Sequence, residues 1–572
     1  MISTWTILFS FFAATVLLLG GIAIYWAFIL PLTNPLKEIP GPPISGFYNI
    51  SHMEMTINPT LSPRTHARFL KDYGRNVHIR GPFPWDDRLI SVDPVAISYI
   101  LKNTSIYEKP WQSRAFISSL IGCGMLSAEG KAHKRFRRVA TPAFSIQHLR
   151  DSKVAIFQKG LGIKKSWMSL IETDQTESES QDNFKGTRFD VCDWIYRATF
   201  DVIGVTGFDY DFNAIGHSDD ELYHAYKEMF EAGIAQQKDN LRVTLGVYVP
   251  LLYKFFPDQS TRTVARCRAV IERVAGGLIQ EKKRKILEAE KQGITEHGRE
   301  DLLTLLLKSN QSESTPPSQR LSDEDILNNI NTLLFAGSDT TALSITWTLL
   351  LLAMYPELQT RLRNELLSIS PSTSLESLSP EEVISLYDNG ISTLPYLDNV
   401  VKETLRLIPP VHSSMRCATQ DDVIPTSSPM KWKVEGEVFE EKKDVKISKG
   451  TFIHIPIEAF HLDKEVWGED AWSFDPDRWD HLPDAASSLP GLYANLLTFS
   501  AGPRSCIGYK FSIVEIKTFL FILLTKFVFK PTGEKIGKAN VVLTRPYLVG
   551  NTAAGSQCPI FVAPYISESE KV

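Results

Sequence analysis

The chain has 572 residues, 43% of them hydrophobic and 22% charged, a globular composition that excludes a disordered, collagen-like or disulfide-scaffold protein. With 61 Lys and Arg against 66 Asp and Glu the net charge is −5, so there is no global basic field for nucleic acid and any docking patch has to be local. Six cysteines (Cys123, Cys192, Cys267, Cys417, Cys506, Cys558) lack paired spacing, which argues against a secreted disulfide framework and a zinc site and in favour of a reducing compartment.

Residues 1–36 read as a membrane anchor. No charged side chain precedes Lys37, and residues 5–32 are almost wholly apolar, more than the roughly 20 residues needed to cross hydrocarbon. A single transmembrane helix is expected; a cleaved signal peptide would have a basic start and an apolar core of only about 7–15 residues. Residues 37–50 form a Pro-rich hinge, in which Pro40-Gly41-Pro42-Pro43 stops the helix and fixes the angle at which the body, residues 51–572, leaves the bilayer. Lys37 is offset by Glu38, so the cytosolic placement of the body rests on cysteine usage.

Alternating stretches at 77–79 and 89–92 predict a hairpin ahead of a long helical body, giving a fold that is mainly α with small β-sheets. A basic helix follows, with Lys131, His133, Lys134, Arg135, Arg137 and Arg138. Polar segments at 172–182, 309–319 and 368–379 read as surface loops. Ser322 and Asp325 predict a capping box opening a long helix that carries Ala336-Gly337-Ser338-Asp339-Thr340-Thr341. A mid-helix glycine costs about 1 kcal/mol relative to alanine, and Asp-Thr-Thr interrupts an apolar face, so function or packing has to offset both. The apolar run 343–354 is too short to span a bilayer and reads as a core helix. Glu403 and Arg406 lie i,i+3 on one helix face, a pair that by itself is most often a solvated surface contact, and Pro409-Pro410 ends that helix.

The densest chemical signal is Phe499-Ser500-Ala501-Gly502-Pro503-Arg504-Ser505-Cys506-Ile507-Gly508, followed by a helical pattern from Tyr509 to about Lys526. A cysteine at a helix start faces backbone N–H groups and the positive end of the dipole, which favours thiolate, the donor a haem iron takes as axial ligand. Gly502 and Gly508 would allow close backbone approach to a porphyrin, and Arg504 offers a cation to a propionate. A lone cysteine is usually a small buried hydrophobe. The five fixed residues of F-x-x-G-x-R-x-C-x-G, however, arise by chance in a chain of this size with a probability on the order of one in ten thousand.

This loop resembles the ligand loop of the cytochrome P-450 family of haem-thiolate monooxygenases, and the other motifs follow in family order from Gly130 to Gly508. The resemblance implies the cytochrome P-450 fold behind the single N-terminal helix, and haem b (iron protoporphyrin IX) with Cys506 as iron ligand and Phe499, Gly502, Arg504 and Gly508 around it. Ala336 and Gly337 would open a groove for dioxygen, beside Asp339 and Thr340 as an acid–alcohol pair that relays protons. Glu403, Arg406 and Arg478, the last within Phe474-Asp475-Pro476-Asp477-Arg478-Trp479, would form a structural triad holding the cysteine loop. Arg137 and Arg416 would bind propionates, joined by His133 where the family usually has Trp.

Electrons would come from NADPH through a separate NADPH–cytochrome P-450 reductase, since no flavin-binding stretch is visible, with cytochrome b5 as a further donor. Lys131, Lys134, Arg135 and Arg138 would dock the reductase. The segment 107–125, the helix around Phe335, residues 411–414 and the turn 548–551 would wall an apolar pocket for a lipophilic terpenoid, sterol or fatty acyl compound. The style of 465–472 and 491–495 looks like fungal secondary-metabolism members. The implied protein is a single-pass monooxygenase of the endoplasmic reticulum membrane with a cytosolic catalytic domain. The alternatives are a haem-thiolate isomerase or dehydratase that needs no external electrons, and a non-catalytic membrane haem- or lipid-binding protein.

Overall fold

A computed structural model describes residues 4–43, 52, 61–81, 83, 85–173, 178–179, 185–216, 219–235, 257–291, 301–311, 316, 320–434, 437–441, 444–540, 543–551 and 554–566. Residues 44–50 of the expected hinge, and parts of the polar segments 172–182 and 309–319, lie outside them.

The amino-terminal helix α1 (Thr4–Ile24) passes through a π-turn at Tyr25–Ile29 into a short helical turn at Leu30–Thr33. Pro31 explains the widening: it has no N–H to give to the preceding turn, and its ring crowds the carbonyl four residues back. Among the described residues no single helix is long and apolar enough to cross a membrane, and the apolar stretch found within α1 is Phe9–Ile22. The hinge is packed onto the body: Leu36 is fully buried and Ile39 nearly so, and Pro40 O accepts the His78 N–H at 3.0 Å.

The predicted hairpin is present as β1 (Asn76–Arg80) and β2 (Asp87–Ser91), antiparallel with Val77 opposite Ile90. They join β3 (Tyr107–Glu108), β6 (Ser414–Ala418) and β11 (Phe452–Ile455) in a five-stranded sheet of order β1-β2-β11-β6-β3. A second sheet orders β12 (Phe527–Pro531), β15 (Pro559–Pro564), β5 (Lys185–Asp190) and β4 (Ser178–Glu179). Three further antiparallel pairs are β7 (Asp422–Ile424) with β10 (Val445–Ile447), β8 (Met430–Val434) with β9 (Glu437–Glu441), and β13 (Ile536–Asn540) with β14 (Thr544–Leu548).

Among the described residues most of the rest of the body is helical, joined by loops and turns. The helices that position the site are α2 (Gly130–Ala140), α3 (Ile146–Thr173), α4 (Val191–Phe208), α5 (Asp323–Met354), α6 (Pro395–Leu407) and α7 (Tyr509–Lys526). The predicted capping box opens α5: Ser322 Oγ accepts from Asp325 N at 3.0 Å, and Asp325 accepts from Ser322 N at 3.2 Å. Three acidic residues in its first turn suit the positive end of the dipole. Residues 343–353 of α5 are buried throughout, as expected of a core helix, and α5 packs against α4 and α7. Fully buried Trp167 of α3 gathers Phe189, Trp194 and Phe527 at ring distances of 5.2–6.5 Å, joining the second sheet to the helices.

A Cβ at Gly41 would lie 2.0 Å from the His78 carbonyl oxygen, so no side chain fits there without moving the hinge off β1. Gly41→Ala should therefore loosen the hinge, read as faster limited proteolysis around residues 37–50 with the body still resistant. Unchanged cleavage would show that the hinge is not held by this contact.

Candidate active site

Cys506 lies in a loop between the turn Leu497–Phe499 and α7, its N–H donating to Phe499 O at 2.9 Å. Gly502 has φ +70°, and a Cβ there would come within 2.6 Å of the Leu101 carbonyl oxygen. Its bareness thus lets the loop lie against neighbouring backbone. At Gly508 the nearest neighbour of a Cβ would be the Phe144 ring at 3.4 Å, an ordinary contact. The Phe499 ring sits between Tyr493 and Tyr509, with centroids at 5.9 and 6.1 Å.

Cys506 is exposed at the surface of its loop, yet the protein crowded around it makes desolvation the largest influence on its thiol. The expected lowering of the thiol pKa is corrected: burial raises it, opposed by the Gly508 N–H and the Arg137 charge. The helix-start geometry is there, but desolvation outweighs it until a cation meets the sulfur.

Behind the loop, Glu403 and Arg406 form a two-toothed pair at 2.7 and 2.8 Å, both side chains fully buried. Arg406 also donates to the carbonyls of His461 and Ala471, each at 2.7 Å. Glu403 accepts from Trp479 Nε1 at 3.0 Å and Asp475 N at 3.1 Å. Arg478 reaches Glu403 at only 3.5 Å and spends most of its guanidinium on Asp470, at 2.8 and 2.9 Å. The clamp reaches the cysteine loop through His461, which stands 3.1 Å from Arg406 O by Nδ1 and accepts the Leu497 N–H at 3.0 Å by Nε2. Thr498 Oγ1 adds a bond to Leu405 O at 2.8 Å. His461 is absent from the sequence reading because a single histidine in a short helix carries no local signal.

A cluster of cations lies beside the loop. Arg137 donates to Ser505 O at 2.7 Å. Arg416 is 5% exposed, and donates to Ser414 Oγ at 2.7 Å and Met415 O at 2.8 Å; burial lowers its pKa to about 10. Arg504, expected to offer a cation to a propionate, forms an ion pair with buried Glu129 and donates to Ala128 O at 2.8 Å. Lys109, also missed in the sequence, stands 3.6 Å from the same Glu129 carboxylate. His133 is buried, and desolvation, reinforced by Arg504, Lys109 and Arg137, lowers its pKa to about 3 and keeps the ring neutral. Lys109, Arg416 and Arg504 against one carboxylate leave a surplus of two buried positive charges, costly until an anion joins them. A cysteine sulfur in a loop flanked by this surplus of positive charge fits haem, an iron macrocycle with two propionates.

In the middle of α5, between buried stretches on either side, Phe335, Ala336, Gly337 and Thr340 keep partial exposure. Thr341 Oγ1 lies 2.9 Å from Ser512 Oγ in the first turn of α7, bringing this turn of α5 to the helix that follows Cys506. Thr340 Oγ1 donates to Ala336 O at 2.8 Å, the packing arrangement that mid-helix threonines favour. A Cβ at Gly337 would meet Ile203 Cδ1 at 2.9 Å, so this glycine has a packing reason in the approach of α4. Asp339 is 1% exposed and ion-paired with Arg545 of β14; burial raises its carboxyl pKa and Arg545 draws it back down.

In the turn 548–551, Leu548 is half-buried, Val549 is 49% exposed, and Gly550 and Asn551 are exposed. At the start of β14, Thr544 is bonded to the Pro409 and Pro410 carbonyls at 2.8 Å, and its own carbonyl accepts from Trp347 Nε1 at 2.9 Å. On α2, Arg135 is taken by Asp325 at 3.0 Å, whereas Lys131, Lys134 and Arg138 are exposed.

The family model described as cytochrome P-450 matches residues 85–547. Cytochrome P-450 monooxygenase 205 of the fungus Postia placenta is 35% identical over 561 residues, 95% of this chain and 96% of that one. Monooxygenase 128 of the same organism is 34% identical over 97% of each chain. A ganoderic acid synthetase of Ganoderma lucidum is 31% identical over 90% of this chain and 92% of its own.

Burial lowers His461 and His133 from 6.5 to about 3, and His66 and His412 to about 4. Between those values the unfolded chain binds protons that the folded chain refuses, so stability falls on acidification. The free energy of unfolding, followed through the urea midpoint, should drop from pH 7 to pH 5 by up to about 1.4 kcal/mol per pH unit for each such histidine. A flat midpoint would show that these rings accept protons in the folded state.

Proposed function

The chain belongs to the cytochrome P-450 family and is a haem-thiolate monooxygenase; on that premise we propose that it is a membrane-anchored enzyme that hydroxylates a lipophilic small molecule of terpenoid, sterol or fatty acyl type, with electrons passed from NADPH through a separate reductase. The observation that supports the site assignment is the gathering around the Cys506 loop of Arg137, bonded to Ser505 O, and of the Thr340-Thr341 turn of α5, tied to the first turn of α7 through Ser512.

Bound haem supplies the redox chemistry that activates dioxygen and places one of its atoms in a C–H bond. Cys506 would hold the iron, its thiolate favoured by the Gly508 N–H and Arg137, while Lys109, Arg416 and Arg504 would hold the propionates. The clamp through Glu403, Arg406 and His461 keeps the sulfur in place. Asp339 holds a proton more readily than an exposed aspartate, and its release from Arg545 would let the carboxyl serve Thr340. Thr340 Oγ, now bonded to Ala336 O, has to rotate away from that carbonyl to pass that proton on.

Membrane attachment is supported by α1, where Trp5, Phe9, Phe11, Phe12 and Leu17 are each at least 67% exposed. An aromatic group at the junction with the body, Trp26 with Trp85 at 6.0 Å and Phe83 stacked on Trp85 at 5.1 Å, suits a headgroup layer. The partly buried apolar side chains of Phe335 and Val411 favour a lipophilic substrate drawn from the bilayer. Exposed Lys131, Lys134 and Arg138 offer an acidic reductase, or cytochrome b5, a basic landing face. Placement in the endoplasmic reticulum with the body in the cytosol accords with the absence of paired cysteine spacing.

Cys506→Ala should abolish the thiolate signature of the reduced carbon monoxide spectrum together with turnover; a normal spectrum in the variant would remove Cys506 as ligand. Thr340→Ala should keep that spectrum but raise peroxide released per product several-fold in the reductase-coupled assay. Unchanged coupling would take Thr340 out of the proton relay.

A further inference from the structure

The cation cluster contains a carboxylate that a propionate site would not by itself require. Glu129, one residue before α2, has a side chain 6% exposed, and it accepts from Arg504 and from the Lys109 backbone N–H at 3.2 Å, with Lys109 Nζ at 3.6 Å. Lys109, like Arg504, is well buried, and the Glu129 charge raises the pKa of both against the desolvation that lowers them. Arg416 feels the charges of Glu129 and Arg504, and Arg504 feels Glu129, with Glu108 and Arg114 beside it offsetting one another, so Lys109, Arg416, Arg504 and Glu129 form one electrostatic unit.

Without Glu129 three cations would be forced together in a poorly solvated corner before any ligand arrived. With it, the surplus is two positive charges, matching a dianion. The same carboxylate repels any anion that joins the cations, because like charges within a protein interact more strongly than in water.

We propose that Glu129 is the resident counter-ion of the haem-propionate corner: it holds Lys109 and Arg504 in place before haem enters, and once haem is bound it weakens the hold on the propionates. The role rests on the haem reading given above, and Glu129 acts as a positioning residue through Lys109 and Arg504. The two halves of the role have opposite signs, which separates it from a purely structural one. A carboxylate that merely shaped the cations into a haem site would, on removal, let haem go faster. A counter-ion that competes with the propionates would, on removal, let it go more slowly.

The test uses the full-chain holoenzyme and follows haem transfer to excess apomyoglobin. Glu129→Gln should slow haem loss on the order of 5-fold, and Lys109→Met should speed it. Faster loss or an unchanged rate in Glu129→Gln overturns the proposal. Should Glu129→Gln give no soluble holoenzyme, the pair Glu129→Gln with Lys109→Met, which removes one charge of each sign, should lose haem near the wild-type rate; loss as fast as in Lys109→Met alone overturns it. The reduced carbon monoxide spectrum of the wild type is recorded first. Absence of a thiolate signature there defeats the haem reading itself, whereas a normal signature with fast loss in Glu129→Gln defeats only the counter-ion.

Discussion

The site depends on a carboxylate and a guanidinium that have no access to water. Glu403 and Arg406 are fully buried and meet at 2.7–2.8 Å, and removal of one partner from such a pair costs about 3–5 kcal/mol because the other charge stays unpaired. Buried ions are stable only when all their bonding positions are used. Arg406 therefore draws the carbonyls of His461, Ala471 and Ser473 toward one point, and Glu403 draws Trp479 and Asp475. Through His461 and Leu497 that order reaches the loop in which Cys506 sits.

A second charge balance governs the other side of the loop. Each cation of the corner is desolvated, and the only carboxylate hydrogen-bonded to them among the described residues is Glu129. The two regions use the same physics to different ends: around Glu403 the charges are matched and the backbone is locked, whereas around Glu129 they are deliberately unequal and a ligand is required. Asp339 with Arg545 is a third arrangement, a single ion pair spanning a helix and a strand, in which burial and partner pull the carboxyl in opposite directions. That opposition suits a group that changes its proton during a reaction.

The sequence alone determined the elements whose cause is local. The capping box at Ser322, the hairpin before the body, the stop at Pro409-Pro410 and the helix Tyr509–Lys526 are written in short-range patterns of caps, alternation and proline, and they appear where those patterns place them. The loop around Cys506 was legible for a related reason, since its fixed residues fall within ten consecutive positions. Only the tertiary structure decided who partners whom across distance. Glu129 with Arg504, His461 with Leu497 and Arg545 with Asp339 are 375, 36 and 206 residues apart. No propensity or spacing encodes such pairs, and the direction of the Cys506 pKa followed from desolvation, a property of the enclosing fold and not of the neighbours in the chain.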